Sequence, residues 1–528
     1  MAEALECRTL AVTVETRYGK IRGSSDGGVH VFRGIPFARP PVATRRFRPP
    51  EPPEPWPGLR DCRSFAPVAP QQFSPLSALY PAPIEEQSED CLYLNVWTPS
   101  TDGTPRPVLV WIHGGRFSEG GAALPDTNGR RLARRGDVVV VSIQYRLGAL
   151  GFLHLGDLRG ADPRGASNLG LLDQIAALGW VREEIDAFGG NPSNVTIFGG
   201  SAGGTSVASL LAMPRARDLF QKAIIQSSHY TALDRQAATR VAQCLLEELE
   251  IEERDSVKLR DIPLDSLVRA QRRTEERLEA GFADLVFQPV VDGELLPKAP
   301  LEAVREGAVA PIPLLVGSNL DEMTILDAVD PTLRSLDEAG LIERMERSLP
   351  AQHPSGTSFA TRALEVYRCS RERRALSGPA ELWCALESDR RFHYTTSRMA
   401  ELHAALEPRT YMYQFRWTPP ATHSRLGAFH GLEVPFVFGT LEEHSLHGVV
   451  PKSHEATALA RRVQDAWIAF SRTGDPSHPG LGSWPAYAAP RRATMILDES
   501  PRTEDAPLED ARLFWQEVEE ALATRGSS

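Results

Sequence analysis

The run Val195-Thr-Ile-Phe-Gly-Gly-Ser-Ala-Gly-Gly204 holds a serine whose surroundings suit nucleophilic catalysis. Apolar, β-prone residues precede Ser201 and the helix-compatible segment 205–212 follows it, an order that predicts a strand, a sharp turn and a helix. A serine at such a turn sits on strained backbone with its hydroxyl exposed above the sheet edge. The glycines on either side, Gly199 and Gly203, allow the strand and the helix to approach closely. Ser201 is therefore the candidate nucleophile.

A second segment, Gly23-Ser-Ser-Asp-Gly27, has the same G-x-S-x-G spacing. It lies between two short strand-like runs, 20–22 and 29–32, and therefore predicts a hairpin turn. Because spacing alone does not identify a nucleophile, the context selects Ser201 over Ser25.

An activated serine needs a base, an acid that orients the base, and donors for the oxyanion. Two carboxylates, Asp321 and Glu322, follow the buried strand-like run 313–317. Their position permits either one to face the site. A carboxylate directly after a strand is commonly a helix cap or solvated, which suits Asp321 and leaves Glu322 for the site.

The base is sought among thirteen histidines. Where a nucleophilic serine lies on a strand-turn-helix of this kind, the acid and then the histidine follow it in the chain, which restricts the choice to histidines after the acid. Three of them, His423, His430 and His447, follow the strand-like run 410–417 closely enough to be carried on its loop. His430 is favoured because a glycine and the apolar run 434–438 follow it, whereas the other two have polar, loop-like neighbours.

The donors for an oxyanion are expected in the glycine turn His113-Gly-Gly-Arg-Phe117, which ends another strand-like run. A turn of this kind presents backbone N–H groups at the carboxyl end of a sheet. The N–H groups of Gly115, Arg116 and Ala202 form the candidate oxyanion hole. The alternative is that the turn simply ends a strand, which would be the preferred interpretation without Ser201.

These residues need a sheet to position them. The runs 107–113 and 137–145 are apolar and β-branched, as in strands buried on both faces of a parallel sheet. Segment 168–188 has apolar residues every three to four positions, which predicts a crossover helix before the serine strand. Further strands are predicted at 222–227, 313–317, 410–417 and 493–498. The alternation of strands and helices indicates a doubly wound α/β sheet.

The composition is that of a globular protein, with 42% hydrophobic and 24% charged residues. A net charge of −11 argues against a nucleic acid or an anionic membrane as partner. The first residues lack the basic start and apolar run of a secretory signal, and no apolar run approaches the roughly 20 residues of a membrane span. A cytoplasmic location is therefore expected, and no oligomeric state is predicted. Without a metal-binding pattern or a phosphate-binding loop, neither a metal nor a cofactor is expected.

Short motifs follow one another in a fixed order along almost the whole chain. They are Phe32-Arg-Gly-Ile-Pro-Phe-Ala38, Ser88-Glu-Asp-Cys-Leu-Tyr-Leu-Asn-Val-Trp97, Gln144-Tyr-Arg-Leu-Gly148, Phe188-Gly-Gly-Asn-Pro192, Phe429-His-Gly-Leu-Glu-Val-Pro-Phe-Val-Phe-Gly439 and Thr473-Gly-Asp-Pro476. Together with the serine turn, they resemble the type-B carboxylesterase and cholinesterase family of α/β hydrolases. The resemblance implies a single domain over residues 1–528 with the α/β-hydrolase fold: a mostly parallel central sheet with helices on both faces. Helical insertions around 234–283 and 327–405 are expected to cover the pocket.

The resemblance also implies roles for individual residues. Ser201 would be the nucleophile, His430 the general base and acid, and Glu322 the orienting carboxylate, with Ser227 in support of that acid. It further implies two structural ion pairs, Arg46 with Glu89 and Arg146 with Asp173.

Three positions depart from the family pattern. Gly200 replaces the usual acidic residue before the nucleophile, so a carboxylate beside the serine and the histidine is missing. Arg116 replaces the third glycine of the oxyanion turn and keeps its N–H, but its side chain must find room. Where secreted relatives place the cysteine partner of Cys91, this chain has Ala69, which fits an intracellular protein without disulfides. Cys62 is nevertheless close enough in sequence to leave a bridge to Cys91 open.

The predicted function is that of a serine carboxylesterase, which hydrolyses small-molecule esters with short-to-medium acyl or aryl groups through an acyl-enzyme. Cationic alcohols such as choline are not expected to be preferred, because Gly200 carries no charge and the segment before Ser88 contains Tyr80 but no tryptophan. One alternative is a catalytically silent, cholinesterase-like interaction protein. Another is the same triad acting on amide, thioester or lactone bonds.

Overall fold

The computed structural model describes residues 11–72, 86–158, 167–278, 285–351, 353, 356–370, 373, 376, 378–420, 424–442, 450 and 453–526. Three residues discussed above, Tyr80, His423 and His447, lie outside this part of the chain.

One large sheet runs through the described part. Its strands are β1 (Ala11–Thr16), β2 (Gly19–Asp26), β3 (Val29–Pro36), β4 (Leu59–Asp61), β5 (Tyr93–Thr98), β6 (Arg106–Ile112), β7 (Val139–Ile143), β8 (Gly190–Gly200), β9 (Lys222–Gln226), β10 (Leu314–Asn319), β11 (Thr410–Phe415), β12 (Ala493–Leu497) and β13 (Arg502–Asp505). The order across the sheet is β1-β2-β3-β5-β7-β6-β8-β9-β10-β11-β12-β13, with β4 paired to β2. The strands from β7 to β12 in this order are mutually parallel.

Helices connect these strands. They are α1 (Arg130–Gly136), α2 (Gly148–Phe152), α3 (Leu169–Glu184), α4 (Ala202–Ala212), α5 (Arg235–Glu248), α6 (Leu264–Leu278), α7 (Pro300–Arg305), α8 (Leu326–Val329), α9 (Glu338–Ser348), α10 (Phe359–Cys369), α11 (Pro379–Ser388), α12 (Tyr394–Ala404), α13 (Val434–Phe438), α14 (His454–Thr473) and α15 (Glu509–Gly526). The predicted crossover helix is α3, which lies between β7 and β8 in the chain. None of the helices in the described ranges is long and apolar enough to cross a membrane.

The central strands are apolar on both sides because the sheet is covered on both faces. Along β6, Val108, Val110 and Ile112 belong to one hydrophobic cluster. The alternate residues, Leu109 and Trp111, belong to a second cluster. Since successive side chains point to opposite faces of a strand, the two clusters lie on opposite sides of the sheet. The continuous apolar run that predicted a buried parallel strand is explained by this arrangement.

The second G-x-S-x-G segment, Gly23–Gly27, is part of a hairpin. The prediction that this segment forms the hairpin turn is wrong, because most of it belongs to β2. Ser25 lies within β2 and pairs with His30 of β3. The turn is made by Gly27 and Gly28, whose φ values are +58° and +81°. Two consecutive residues with positive φ suit a tight hairpin turn, and glycine adopts this conformation without steric cost.

The two segments predicted as helical insertions contain helices in their described parts. Helices α5 and α6 lie in the first, and α9 to α12 lie in the second. A π-helical turn, Asp389–His393, joins α11 to α12. Such turns insert an extra residue into a helix and frequently occur at functional sites.

Candidate active site

Ser201 lies between the last residue of β8 and the first residue of α4. Its φ and ψ angles are 56° and −124°, a conformation rarely adopted by residues other than glycine. The turn is tight, since a Cβ placed on Gly203 would lie 2.0 Å from the carbonyl oxygen of Ile112. The Ser201 N–H donates a hydrogen bond of 2.9 Å to the carbonyl oxygen of Gln226, which ties the turn to β9. The sequence-predicted strand, sharp turn and helix are all present.

Glu322 and His430 form a hydrogen-bonded pair. The Nδ1 atom of His430 lies 2.6 Å from Oε2 of Glu322. The Glu322 side chain is fully buried, and its second oxygen, Oε1, accepts a hydrogen bond of 2.7 Å from the backbone N–H of Asn319. The carboxylate thereby fixes the imidazole so that Nε2 is the nitrogen for proton exchange with a serine. Both residues follow parallel strands, β10 and β11, at the carboxyl edge of the sheet.

The segment that follows His430 lies next to the serine turn and is hydrogen-bonded to the end of β9. A Cβ placed on Gly200, the residue before Ser201, would lie 3.8 Å from Cγ2 of Val434. The side chain of Gln226, whose carbonyl oxygen binds the Ser201 N–H, donates a hydrogen bond of 3.2 Å to Glu433. The parallel strands therefore bring together residues that are far apart in sequence.

The electrostatics favour His430 as the base. Burial lowers its pKa, but the charge of Glu322, the hydrogen bond to that carboxylate and the charge of Glu433 raise it, and the pKa of His430 is raised overall. Its ring lies 5.0 Å from the ring of Phe392, which in turn lies 4.5 Å from the ring of His229. Burial, with positive charges nearby, lowers the pKa of His229 to about 3. His229 is therefore neutral at neutral pH and too weakly basic to serve as the base.

Asp321 holds the loop that carries His430, and its side chain is not the predicted helix cap. Its backbone N–H donates to the carbonyl oxygen of Ala428 at 3.0 Å, and its Oδ2 accepts from the Ala428 N–H at 2.8 Å. Although Asp321 precedes the helical turn Glu322–Ile325, its side chain makes no capping hydrogen bond. The carboxylate instead pairs with an N–H two residues before His430, which the sequence offered no means to foresee.

The glycine turn after β6 lies beside Ser201. A Cβ on Gly114 would lie 3.1 Å from Cβ of Ser201. The next residues, Gly115 and Arg116, have φ values of 109° and 56°, and a Cβ on Gly115 would lie 1.9 Å from the carbonyl oxygen of Glu119. This is a position that only glycine can occupy. The predicted donors Gly115, Arg116 and Ala202 thus flank Ser201 on two backbone segments.

Ser227 and Gly200 complete the predicted set. The Ser227 N–H donates to the carbonyl oxygen of Gly317 at 2.8 Å, but its buried hydroxyl has no hydrogen-bond partner among the described residues. The implied support of Glu322 by that hydroxyl is therefore not seen. A Cβ on Gly200 would lie 3.4 Å from the Trp111 ring, which is an ordinary van der Waals contact. A side chain at this position would therefore not clash at its Cβ.

Comparison with known proteins decides the family. A sequence model of the carboxylesterase family matches residues 11–515. The chain belongs to the carboxylesterase family. It is 39% identical over 499 residues to the para-nitrobenzyl esterase of Bacillus subtilis (strain 168), covering 94% of this chain and 97% of that protein. It is 34% identical to the phenmedipham hydrolase of Pseudarthrobacter oxydans, with 92% and 94% of the two chains covered.

Solved structures agree with this assignment. The Geobacillus stearothermophilus carboxylesterase EST55 has a TM-score of 0.84 and 39% identity, over 96% of this chain and 100% of the other. The resemblance to carboxylesterases and the predicted α/β-hydrolase fold are confirmed. Membership of this family and the esterases among the relatives identify a carboxylic-ester hydrolase.

Three polar residues behind the site are not identified by the sequence analysis. Gln226 and Asn319 are the last residues of β9 and β10, and Glu433 follows His430 by three positions. All three are buried. The one available signal was that a polar residue ends each of two apolar strand runs at the carboxyl edge of the sheet.

Proposed function

We propose that this chain is a serine carboxylesterase whose catalytic residues are Ser201, Glu322 and His430. The observation that carries the proposal is the 2.6 Å pair of Glu322 and His430 on a loop packed against the strained turn of Ser201. An acid that holds a histidine in one orientation beside a serine at a strand-helix turn is the arrangement that activates a hydroxyl for acyl transfer.

The reaction would begin when Ser201 Oγ attacks the ester carbonyl carbon while His430 takes the hydroxyl proton. The Glu322 carboxylate stabilises the resulting imidazolium. Backbone N–H groups of Gly115, Arg116 and Ala202 bind the negative oxygen of the tetrahedral intermediate. His430 then gives its proton to the leaving alkoxide, and water clears the acyl-enzyme by the same route.

The proposed substrates are neutral esters with short-to-medium acyl or aryl groups. A preference for cationic alcohols is not proposed, because Gly200 provides no carboxylate next to the nucleophile. Two of the three similar proteins named above, the para-nitrobenzyl esterase and the carboxylesterase EST55, are esterases by name, which favours esters over amide, thioester or lactone bonds. The pairing of Glu322 with His430 speaks against a catalytically silent protein. We further propose that residues 1–528 form one catalytic domain, since the family match spans 11–515. A cytoplasmic location stays a prediction.

The test is Ser201→Ala, with Ser25→Ala as the matched control at the second G-x-S-x-G segment. Hydrolysis of 4-nitrophenyl butyrate should fall by on the order of 10⁴-fold or more in the first variant and stay unchanged in the second. A fluorophosphonate probe should label Ser201 in the wild-type chain, and circular dichroism should report an intact fold in both variants. Substantial turnover in Ser201→Ala, or labelling of another residue, would contradict the proposal.

A further inference from the structure

The glycine turn after β6 has a strained backbone. Arg116 and Phe117 have φ values of 56° and 62°, a left-handed conformation that residues other than glycine adopt only at a cost. The carbonyl oxygen of Gly115 accepts hydrogen bonds from the N–H groups of Ser118 and Glu119, at 3.0 and 2.9 Å. A trans peptide bond directs its C=O and its N–H to opposite sides, so the Arg116 N–H points away from these two donors. The two hydrogen bonds thus fix the direction in which a proposed oxyanion donor points.

A side chain from a distant helix binds this turn. Glu275 lies on α6, in the first of the helical insertions, and its Oε1 accepts a hydrogen bond of 2.6 Å from the Ser118 hydroxyl. The two residues are 157 positions apart in sequence. Ser118 also supplies one of the two N–H groups that bind the Gly115 carbonyl oxygen. The contact therefore holds Ser118 at the point where the turn closes on itself.

A second side chain of α6 supports the same region. Gln271, four residues before Glu275, accepts a hydrogen bond of 2.9 Å from the Ala149 N–H in α2 and donates one of 3.4 Å to Oε1 of Glu275. The N–H of Gly148, the first residue of α2, donates 2.7 Å to the carbonyl oxygen of Phe117. Residues four apart lie on one face of a helix, so α6 contacts both the turn and α2 with the same face.

The charge of Glu275 does not stabilise the fold. Burial and the charge of Glu119 raise the pKa of Glu275, whereas the hydrogen bonds from Ser118 and Gln271 and the charge of Arg116 lower it, and the pKa is raised overall. A raised pKa means that the folded state favours the neutral form of the carboxyl group. The ionised side chain therefore lowers the free energy of unfolding as the pH rises above the ordinary pKa of a glutamate. A carboxylate at this position calls for a reason other than stability.

We propose that Glu275 is a positioning residue for the oxyanion hole: through the Ser118 hydroxyl it holds the strained turn in the conformation that directs the Arg116 N–H at the oxyanion. The inference rests on the proposed function and deepens it, because it adds a residue of a helical insertion to the support of the proposed site. The effect is expected in the transition state, since the negative oxygen develops only as the tetrahedral intermediate forms.

The test is Glu275→Leu, which keeps a side chain of similar size and removes the acceptor for Ser118. With 4-nitrophenyl butyrate, kcat should fall by roughly tenfold and KM should change little, because a displaced donor loses part of the 10²–10³-fold that an oxyanion donor supplies. Inhibition by an alkyl trifluoromethyl ketone, whose adduct with Ser201 carries the same oxyanion, should weaken by a similar factor. The melting temperature should not fall, since an apolar group replaces a partly buried carboxylate.

Two further variants test the hydrogen bond itself. Ser118→Ala removes the donor and should reproduce the kinetics of Glu275→Leu, and the double variant should be no slower than either single variant. Glu275→Gln keeps an oxygen acceptor for the Ser118 hydroxyl and should recover most of the lost kcat. The matched control is Glu276→Leu. Glu276 is the next residue of α6, is exposed and pairs with Arg272 at 2.7 Å, so its loss should leave kcat and inhibition unchanged.

Unchanged kcat and unchanged inhibition in Glu275→Leu would overturn the inference, as would a change confined to KM. An equal loss of kcat in Glu276→Leu would also overturn it. So would a Glu275→Leu variant that loses stability together with activity and is not improved by Glu275→Gln, since that result shows a structural role only. The proposed function is tested separately, because loss of turnover in Ser201→Ala upholds it whatever the Glu275 variants show.

Discussion

Asp321 and Glu322 are adjacent carboxylates with different partners. Glu322 is fully buried and contacts the imidazole, whereas Asp321 holds the backbone of Ala428 in the loop that carries His430. The first contact fixes the histidine itself and the second fixes only its loop. Their roles in catalysis should differ accordingly.

Glu322→Gln should therefore damage activity far more than Asp321→Asn. The amide that replaces the carboxylate carries no charge to stabilise the imidazolium, and its NH₂ group can donate to Nδ1 and favour the wrong tautomer, so kcat should fall by on the order of 10⁴-fold, as in other triads. Asp321→Asn removes one charged hydrogen bond to a backbone N–H and should cost about 1–2 kcal/mol of stability, with activity within about tenfold. Steady-state kinetics and urea unfolding of both variants measure this. The reverse order of damage would transfer the orienting role to Asp321.

The residues of the proposed triad can be selected from the sequence because each has a local signal. Ser201 has its glycine turn, Glu322 follows a strand, and His430 precedes an ordered apolar run. Residues whose role arises from contacts between distant loops were missed or misread. Asp321 binds an N–H 107 residues away, and Glu433 binds Gln226 across 207 residues. Such pairings depend on the order of strands in the sheet, and the periodicity of apolar residues along the sequence does not determine that order.

At the level of elements, the serine turn depends on the close approach of α4 to β6. The Cβ that Gly203 lacks would lie 2.0 Å from the carbonyl oxygen of Ile112, which is backbone and has little freedom to move. The strand and the helix would have to separate to admit a methyl group. This geometry links a packing constraint to the position of the nucleophile.

Gly203→Ala should therefore cost about 1–3 kcal/mol of stability, as overpacked sites do. It should also lower kcat by roughly 10²-fold, since a displacement near 1 Å at a reacting group has that effect. Gly179→Ala in α3 is the matched control, because its Cβ would meet no atom within 4 Å. That change should leave kcat unchanged and stabilise the helix by about 0.5–1 kcal/mol. Equal behaviour of the two variants in thermal unfolding and kinetics would refute the argument.

The sequence predicts the boundaries of strands well where the apolar runs are long. It predicts them poorly where one or two residues determine the position of a turn. The buried runs at 107–113 and 137–145 correspond to β6 and β7. The G-x-S-x-G spacing predicts a hairpin turn at Gly23–Gly27, whereas the turn is formed by Gly27 and Gly28 with their positive φ values. The π-helical turn that carries Phe392 to the His430 ring leaves no distinct pattern in the sequence, because one added residue barely changes the apolar spacing.

Across the whole molecule, the described cysteines form no disulfide. The thiols of Cys62, Cys91, Cys244 and Cys384 are buried, and that of Cys369 is exposed. Burial raises the pKa of Cys62 to about 12 and also raises the pKa of Cys91. A thiol reacts through its thiolate, so both groups should be inert in the folded protein. The bridge that the sequence left open between them is absent.

Alkylation by iodoacetamide should therefore modify Cys369 in the native protein and leave Cys62 and Cys91 unmodified until the chain is unfolded in urea. Peptide mass spectrometry measures each site, and Cys369→Ser identifies the native reaction at that position. Because the five cysteines in the described part of the chain form no cross-link, dithiothreitol should leave the melting temperature unchanged, whereas a native disulfide would typically add about 2–4 kcal/mol. A linked peptide pair containing Cys62 and Cys91, together with a melting temperature lowered by the reductant, would contradict this prediction.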